Sequence, residues 1–188
     1  MKELLSLLGN IYPLSPPLHK YLAEKIKTRT ITKKFMLLEA GTISRHIYFI
    51  NEGLLRCYYI EYGQEICSKF MKEGDFLVSG SSFFLRQKSH EYIQAIENCQ
   101  LCSLCYDELQ FMYKHFPEIN IISRTILTKS YLSSEQRLFF IRMKQATDRY
   151  NMLMTHYPEL ILRVPAKYIA SYLGISEETL SRIRSKKY

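Results

Sequence analysis

Between residues 30 and 106 the chain alternates short apolar runs with turns that contain glycine. Three runs, residues 46–50, 54–60 and 65–71, are rich in Ile, Tyr and Phe, and each stops at such a turn. This pattern is typical of strands in an antiparallel sheet. A further pair of strands is expected between residues 91 and 106. Before residue 30, two apolar segments with helical spacing are separated by Pro13, Pro16 and Pro17. The pattern predicts an all-β unit with helical flanks.

After residue 106 the apolar positions recur with a period of 3.6 residues, which indicates helices. Residues 107–116 fit a short helix that ends at Pro117, and a long helix begins at about residue 118. The apolar stripe of the long helix needs a partner surface, and a second copy of the chain is favoured over the chain's own β unit. The predicted dimer-helix residues are Ile119, Ile122, Ile126 and Leu127. We therefore expect a β domain (1–116), a dimerisation helix with a hinge (117–144) and a terminal helical domain (145–188).

The 188 residues carry 26 Lys and Arg against 18 Asp and Glu, a net charge of +8. Residues 137–188 hold ten of the basic residues and four of the acidic ones, so +6 of this charge lies in the last quarter of the chain. Such a concentration favours a polyanion-binding module there. No apolar run approaches the roughly 18 residues that cross a bilayer, and the N-terminus does not resemble a signal peptide. The sequence predicts a cytoplasmic protein with reduced cysteines.

Residues 164–184 have the pattern of a helix-turn-helix. Pro165 suits the first turn of a helix, Ala170 is small where two helices would cross, and Gly174 permits a positive φ. Ser176 would cap a second helix, whose positive end favours the acidic residues that follow. Polar side chains of this recognition helix, residues 176–187, would enter the major groove. The predicted DNA-binding residues are Lys167, Ser176, Glu177, Glu178, Thr179, Ser181, Arg182, Arg184, Lys186 and Lys187.

Two residues of this set are expected to read bases. Arg182 can donate two hydrogen bonds to guanine O6 and N7, and Glu178 can accept one from cytosine N4–H or orient the arginine. The hydroxyl and lysine groups would mostly contact phosphates. The alternative is a helical hairpin that only closes a core, in a ligand-binding subunit that acts through protein contacts.

A β unit, a long helix and a terminal helix-turn-helix in this order resemble the Crp/Fnr family of bacterial transcriptional regulators, the catabolite activator type. Residues 47–56 resemble a strand–turn–strand of the family's effector domain, and Gly74-Asp75-Phe76 resembles its turn before the phosphate-binding cassette. Residues 169–183 resemble its helix-turn-helix. The resemblance implies an α+β fold: an N-terminal double-stranded β-helix (a jelly-roll like the cyclic-nucleotide-binding domain), a long dimerisation helix and a C-terminal winged helix-turn-helix.

The resemblance also implies a homodimer that reads a palindromic operator in double-stranded DNA. RNA polymerase and a small-molecule effector would be further partners. Longer members of the family complete a wing after the recognition helix, so we expect a wing here to precede the helix-turn-helix or to be absent.

The cassette departs from the members that bind cyclic AMP. Those members place an arginine against the cyclic phosphate and a glutamate against the ribose. The corresponding stretches here read Leu77-Val78-Ser79-Gly80-Ser81-Ser82 and Ser89-His90-Glu91, with no permanently charged cation at the phosphate position. Because a buried phosphate needs a cation, control by cyclic AMP is not expected unless Arg86 or His90 substitutes in a re-formed loop. The residues expected around an effector pocket are Ser79, Gly80, Ser81, Ser82, Arg86, Ser89 and His90.

The most conspicuous alternative chemistry is the series Cys99, Cys102 and Cys105, whose spacing is found in iron–sulfur proteins. These cysteines fall in a predicted strand, which would point Cys102 to the opposite face and separate neighbours by roughly 10 Å. Core packing is therefore the favoured interpretation. No metal site, cofactor or enzymatic constellation is predicted.

Overall fold

The structure, a computed structural model, describes residues 1–185. Its strands are β1 (Lys27–Ile31), β2 (Met36–Leu38), β3 (His46–Glu52), β4 (Leu55–Glu61), β5 (Gln64–Met71), β6 (Phe76–Leu77), β7 (Tyr92–Ala95) and β8 (Cys99–Cys105). They form two four-stranded sheets in the orders β1-β8-β3-β6 and β2-β7-β4-β5. All the observed pairings are antiparallel. The predicted jelly-roll is confirmed.

The helices are α1 (Lys2–Ile11), α2 (Pro16–Lys25), α3 (Gly80–Leu85), α4 (Tyr106–His115), α5 (Pro117–Arg142), α6 (Ala146–His156), α7 (Pro158–Arg163), α8 (Ala166–Leu173) and α9 (Glu177–Ser185). The long helix α5 has 26 residues and ends where Met143 takes an extended conformation, at the predicted hinge. Between residues 143 and 185 there is no strand, so this described part of the chain contains no wing ahead of the helix-turn-helix. Within residues 1–185 no helix is long and apolar enough to span a membrane.

Three apolar cores hold these elements together. The first lies between the two sheets and includes Ile50, Leu55 and Leu101. The second packs α1, α2, α4 and the start of α5 against the β domain. The third joins helices α6 to α9 with Leu54 and Ile96 of the β domain, so these helices and the β domain share apolar contacts. Full burial of an aliphatic side chain contributes about 1.5–3 kcal/mol, which makes these cores the main source of stability.

Strand β8 separates its cysteines as expected from the period of two. Cys99 belongs to the core between the sheets, whereas Cys102 belongs to the core beneath the helices. Among the described residues, no group of three or more His, Cys, Asp or Glu side chains is placed to hold a metal ion.

The apolar stripe at the start of α5 is covered by the chain itself. Ile119 and Ile122 are 3% and 1% exposed and lie in the core that contains Leu4 and Leu8 of α1. Ile126 packs against the same core. Of the four predicted dimer-helix residues, only Leu127 is half exposed. The three isoleucines are therefore already covered within this chain by a core that includes α1, and their role in a dimer stays a prediction.

Candidate DNA-binding interface and effector region

Helices α8 and α9 form the helix-turn-helix. Gly174 ends α8 with φ 65° and ψ 43°, a left-handed conformation that a residue with a side chain adopts only at a cost. The N–H of Ile175 donates to the carbonyl of Ala170 at 3.1 Å, which closes the turn. Pro165 precedes α8 as its N-cap and accepts through its carbonyl from Tyr168 N at 3.0 Å. The sequence therefore identified the turn and both helices correctly.

Ser176 starts the second helix. Its Oγ accepts from the Thr179 backbone N–H at 3.2 Å, and its carbonyl accepts from Leu180 N at 3.0 Å. This is the N-cap arrangement that the sequence predicts, and such a cap contributes about 1 kcal/mol. Leu180 and Ile183 point inward against α8 and are buried. The cap and the apolar pair fix which face of α9 remains outside.

The outward face of α9 is polar and accessible. Glu177, Glu178, Ser181 and Arg182 are exposed, and Arg182 Nη2 donates to Thr179 Oγ1 at 3.2 Å. Glu178 and Arg182 are four residues apart and therefore share one face of the helix. The structure brings these predicted DNA-binding residues together, and their contacts with DNA stay a prediction.

The remaining predicted DNA-binding residues are placed differently. Lys167 is exposed on α8, with its Nζ 4.8 Å from the Tyr168 ring. Arg184 is only half exposed, and its Nε and Nη2 atoms are buried. Lys186 and Lys187 lie outside the described residues. Fewer of the predicted DNA-binding side chains are therefore exposed on α9 than the sequence alone suggested.

Two arginines that sequence reasoning missed fix the end of α8. Arg137 of α5 donates to the carbonyl of Tyr172 at 2.6 Å, and Arg149 of α6 donates to that of Leu173 at 2.8 Å. Both bonds satisfy carbonyls that the last turn of a helix leaves free, where a cation is favourable. Burial lowers the pKa of Arg137 from its ordinary value. The arginines come from other helices, so no local sequence signal identifies them.

The seven residues predicted to line an effector pocket do not surround one cavity. Ser79 and Ser89 are buried with their hydroxyl oxygens 3.2 Å apart, and buried Ser82 accepts from Ser44 N at 2.8 Å and donates to the Gln87 carbonyl at 2.6 Å. The hydroxyl groups at the expected phosphate position are therefore occupied by hydrogen bonds within the protein. The other four, Gly80, Ser81, Arg86 and His90, are exposed.

A different cavity, of about 300 Å³, is lined by residues from both sheets. Its walls include His46, Tyr48, Val78 and Ile93, and the loop of residues 39–45 completes it. Burial lowers the pKa of His46, which keeps the imidazole neutral over more of the physiological range. None of the seven predicted pocket residues lines this cavity. Sequence reasoning missed it because three separate segments, residues 36–48, Val78 and Ile93, form its walls.

Comparisons with known proteins agree with this architecture. The profile of the cyclic nucleotide-binding domain matches residues 28–116. The solved structure of the c-di-GMP-responsive global regulator CLP of Xanthomonas campestris superimposes with a TM-score of 0.72 at 18% identity, over 89% of each chain. These matches define the class: a domain of the cyclic-nucleotide-binding fold followed by a long helix and a helix-turn-helix.

The chain is also similar to curated regulatory proteins. The anaerobic regulatory protein of Haemophilus influenzae is 26% identical over 170 residues, which cover 84% of this chain and 65% of the relative, slightly less than two thirds of its length. The fumarate and nitrate reduction regulatory protein of Vibrio cholerae is 25% identical over 170 residues, which cover 84% of this chain and 67% of the relative. The chain is thus similar over most of its length to regulatory proteins of this kind.

Proposed function

We propose that this chain is a transcriptional regulator that binds double-stranded DNA through the outward face of α9. The observation that carries the proposal is the capped helix-turn-helix, whose inner face is apolar and whose outer face presents Glu178, Ser181 and Arg182 to solvent. An α-helix with this distribution fits the major groove. The names of the relatives, which describe regulatory proteins, support the same function.

Base reading is assigned to Arg182 and Glu178. The hydrogen bond from Arg182 to Thr179 limits the rotamers of the guanidinium before DNA is bound, which reduces the entropy lost on contact with guanine. Glu178 on the same face can accept from cytosine N4–H. Lys167 and Ser176 lie at the start of the two helices and would contact phosphates, as would Lys186 and Lys187.

We infer a homodimer that forms through the exposed part of α5. Leu127, Tyr131, Ser134, Leu138 and Ile141, here called the dimer stripe, follow one another at spacings of four, three, four and three residues. This spacing keeps one face of a helix in register with a second helix. A groove of about 620 Å³ that includes Asn120, Leu127 and Tyr131 continues the same face. Two recognition helices in such a dimer would read half-sites about 34 Å apart in a palindromic operator.

Control by cyclic AMP does not fit the cassette. Its serines are engaged with one another and with backbone, and the exposed Arg86 guanidinium lies over the Tyr106 ring at 4.8 Å. The β domain then acts as a scaffold or responds to an unidentified small effector. RNA polymerase is a proposed partner, and the cytoplasm is the proposed place of action.

The experiment that tests the function is selection of genomic DNA fragments by the purified full chain, followed by fluorescence anisotropy on the selected DNA. We expect binding that weakens steeply between about 50 and 200 mM salt, because Lys and Arg contacts release counterions from phosphates. Selection of no fragment, or an affinity that does not depend on salt, would show that the helices serve a protein partner instead.

A further inference from the structure

We propose that Arg163 is a positioning residue: with Glu159 it seats the DNA-binding helices on the β domain and thereby sets the orientation of the recognition helix. The inference rests on the proposed function. Both residues belong to α7, which lies between α6 and the helix-turn-helix in the chain. No base or phosphate contact is assigned to either of them.

We call the ion pairs of Glu159 and Arg163 with Lys72, Glu73 and Glu97 the seat. Glu159 and Arg163 are four residues apart and share one face of α7. They meet Lys72 and Glu73, consecutive residues with the opposite order of charge, in the turn between β5 and β6. Lys72 Nζ is hydrogen-bonded to Glu159. Because the two pairs are matched in sign and spacing, the contact specifies a single register of α7 on the turn.

The Arg163 guanidinium binds two carboxylates. Its Nη1 and Nη2 donate to the two oxygens of Glu73 at 2.9 and 2.7 Å, and its Nε and Nη2 donate to the two oxygens of Glu97 at 3.0 and 2.6 Å. Bidentate pairs of this kind fix direction as well as distance. About a quarter of the Arg163 side chain is exposed, so the bonds are partly shielded from water. The pKa of Glu73 is lowered to about 2, mainly by the hydrogen bonds from Arg163.

Glu73, which binds Arg163, is also held by the backbone of the β domain. Glu73 Oε1 also accepts from the Gly53 backbone N–H at 2.8 Å, which links the turn after β3 to the turn before β6. Gly53 has φ 97°, and a Cβ there would collide with the carbonyl oxygen of Asn98. Three turns of the β domain therefore meet at one end, and the arginine enters between two of them.

Helix α8 is held on the β domain at two further points. Ser171 Oγ accepts from Cys67 N at 2.9 Å and donates to the Glu65 carbonyl at 2.8 Å, so it satisfies the free edge of β5. The ring of Tyr168 stacks on the buried Arg56 guanidinium at 3.7 Å. Because α9 follows α8 after a short turn and shares its core, these contacts also set the direction of α9.

A fixed direction matters for a dimer on DNA. Two recognition helices must reach half-sites one helical turn apart, and helices that swing on the hinge at residues 143–145 would lose that freedom on binding. Because the seat holds the helices in one orientation before DNA binds, less conformational entropy is lost on binding. Release of the seat is therefore expected to weaken DNA binding without altering the phosphate contacts.

The first test measures the seat directly by hydrogen exchange of the full chain, followed by NMR. The Cys67 amide is bonded to Ser171, so its exchange reports separation of α8 from β5. Arg163→Ala is expected to increase the exchange of Cys67 by about tenfold while the central strand β8 remains protected, and the exposed Arg142→Ala is the matched control. Glu159→Lys should also increase exchange, and Lys72→Glu combined with Glu159→Lys should restore protection. Unchanged exchange of Cys67 in Arg163→Ala, or a double variant no better protected than Glu159→Lys, overturns the proposal.

The second test measures DNA affinity on fragments that the unaltered chain selects. Arg163→Ala is expected to bind about five- to tenfold more weakly, with the same slope of affinity against salt. A slope reduced by about one would mean that Arg163 contacts a phosphate, and equal or tighter binding would mean that the seat does not position α9. Either result overturns the proposal. If the unaltered chain selects no DNA, the proposed function fails, and the exchange experiment still decides whether the seat exists.

Discussion

Disruption of the dimer stripe should separate the protomers by an amount that can be worked out from exposure. Leu127, Tyr131, Leu138 and Ile141 are 50, 62, 54 and 49% exposed in the single chain. Full burial of such side chains contributes about 1.5–3 kcal/mol, so burial of the remaining half contributes about 1 kcal/mol each. Four side chains on each of two helices then supply about 8 kcal/mol, which lies within the range of about 4–15 kcal/mol that association costs. The dimer is therefore sensitive to small losses along this stripe.

The double variant Leu127→Asp with Leu138→Asp changes four of these eight positions. It loses about 4 kcal/mol of burial, which raises the dissociation constant about a thousandfold, and the cost of burying carboxylates adds to this. Sedimentation velocity over a range of concentrations measures the change. Leu132→Asp is the matched control, because Leu132 is also 50% exposed on α5 but lies about 140° around the helix from Leu127. A double variant that still dimerises like the unaltered chain, or a control that dissociates equally, would show that the dimer stripe is not the contact between the protomers.

Three further predictions concern the β domain. Cyclic AMP at about 1 mM should leave the thermal midpoint unchanged, and a rise of several degrees would contradict the interpretation of the cassette. Arg163 lowers the pKa of Glu73 to about 2, so the ion pair contributes fully to stability above about pH 5 and this contribution is lost as the pH falls toward 2. Between pH 7 and pH 3 the free energy of urea unfolding should therefore fall more for the unaltered chain than for Glu73→Gln. Equal falls would contradict this. Gly53→Ala should lower the free energy of unfolding by about 3 kcal/mol or more, because its Cβ would collide with the Asn98 carbonyl. Gly63→Ala has the same backbone strain but open space, and should cost about 1 kcal/mol. Similar losses in thermal unfolding would contradict the close approach at Gly53.

Local elements could be predicted from the sequence because their signals are local. The glycine turn and serine cap of the helix-turn-helix lie within the segment that they shape, and Gly174 and Ser176 are found as expected. The two strands expected between residues 91 and 106 also exist. They do not pair with each other, however: β7 lies beside β2 and β4, and β8 lies beside β1 and β3. Strand pairing in a jelly-roll joins distant segments, which periodicity does not identify.

The partners of a buried face could not be predicted for the same reason. The spacing of Ile119 and Ile122 correctly indicated burial, but not that α1, more than one hundred residues earlier, would cover them. The ion pair between Glu73 and Arg163 joins residues 90 positions apart. Neither residue is conspicuous alone, because charged residues on turns and short helices are common. The hydrogen bonds of the cassette serines were not predictable either, because Ser79 and Ser89 are ten residues apart and no local pattern indicates that their hydroxyl groups meet.

The most direct test of the central claim is selection of DNA from a random library by the full chain and by Arg182→Ala. The unaltered chain is expected to select a palindrome. Arg182→Ala is expected to lose preference at one base pair of each half-site, by about 1–3 kcal/mol, whereas Arg142→Ala keeps the full preference. A chain that selects no sequence, or an Arg182→Ala variant with the full preference of the unaltered chain, would contradict the assignment of α9 as the recognition helix.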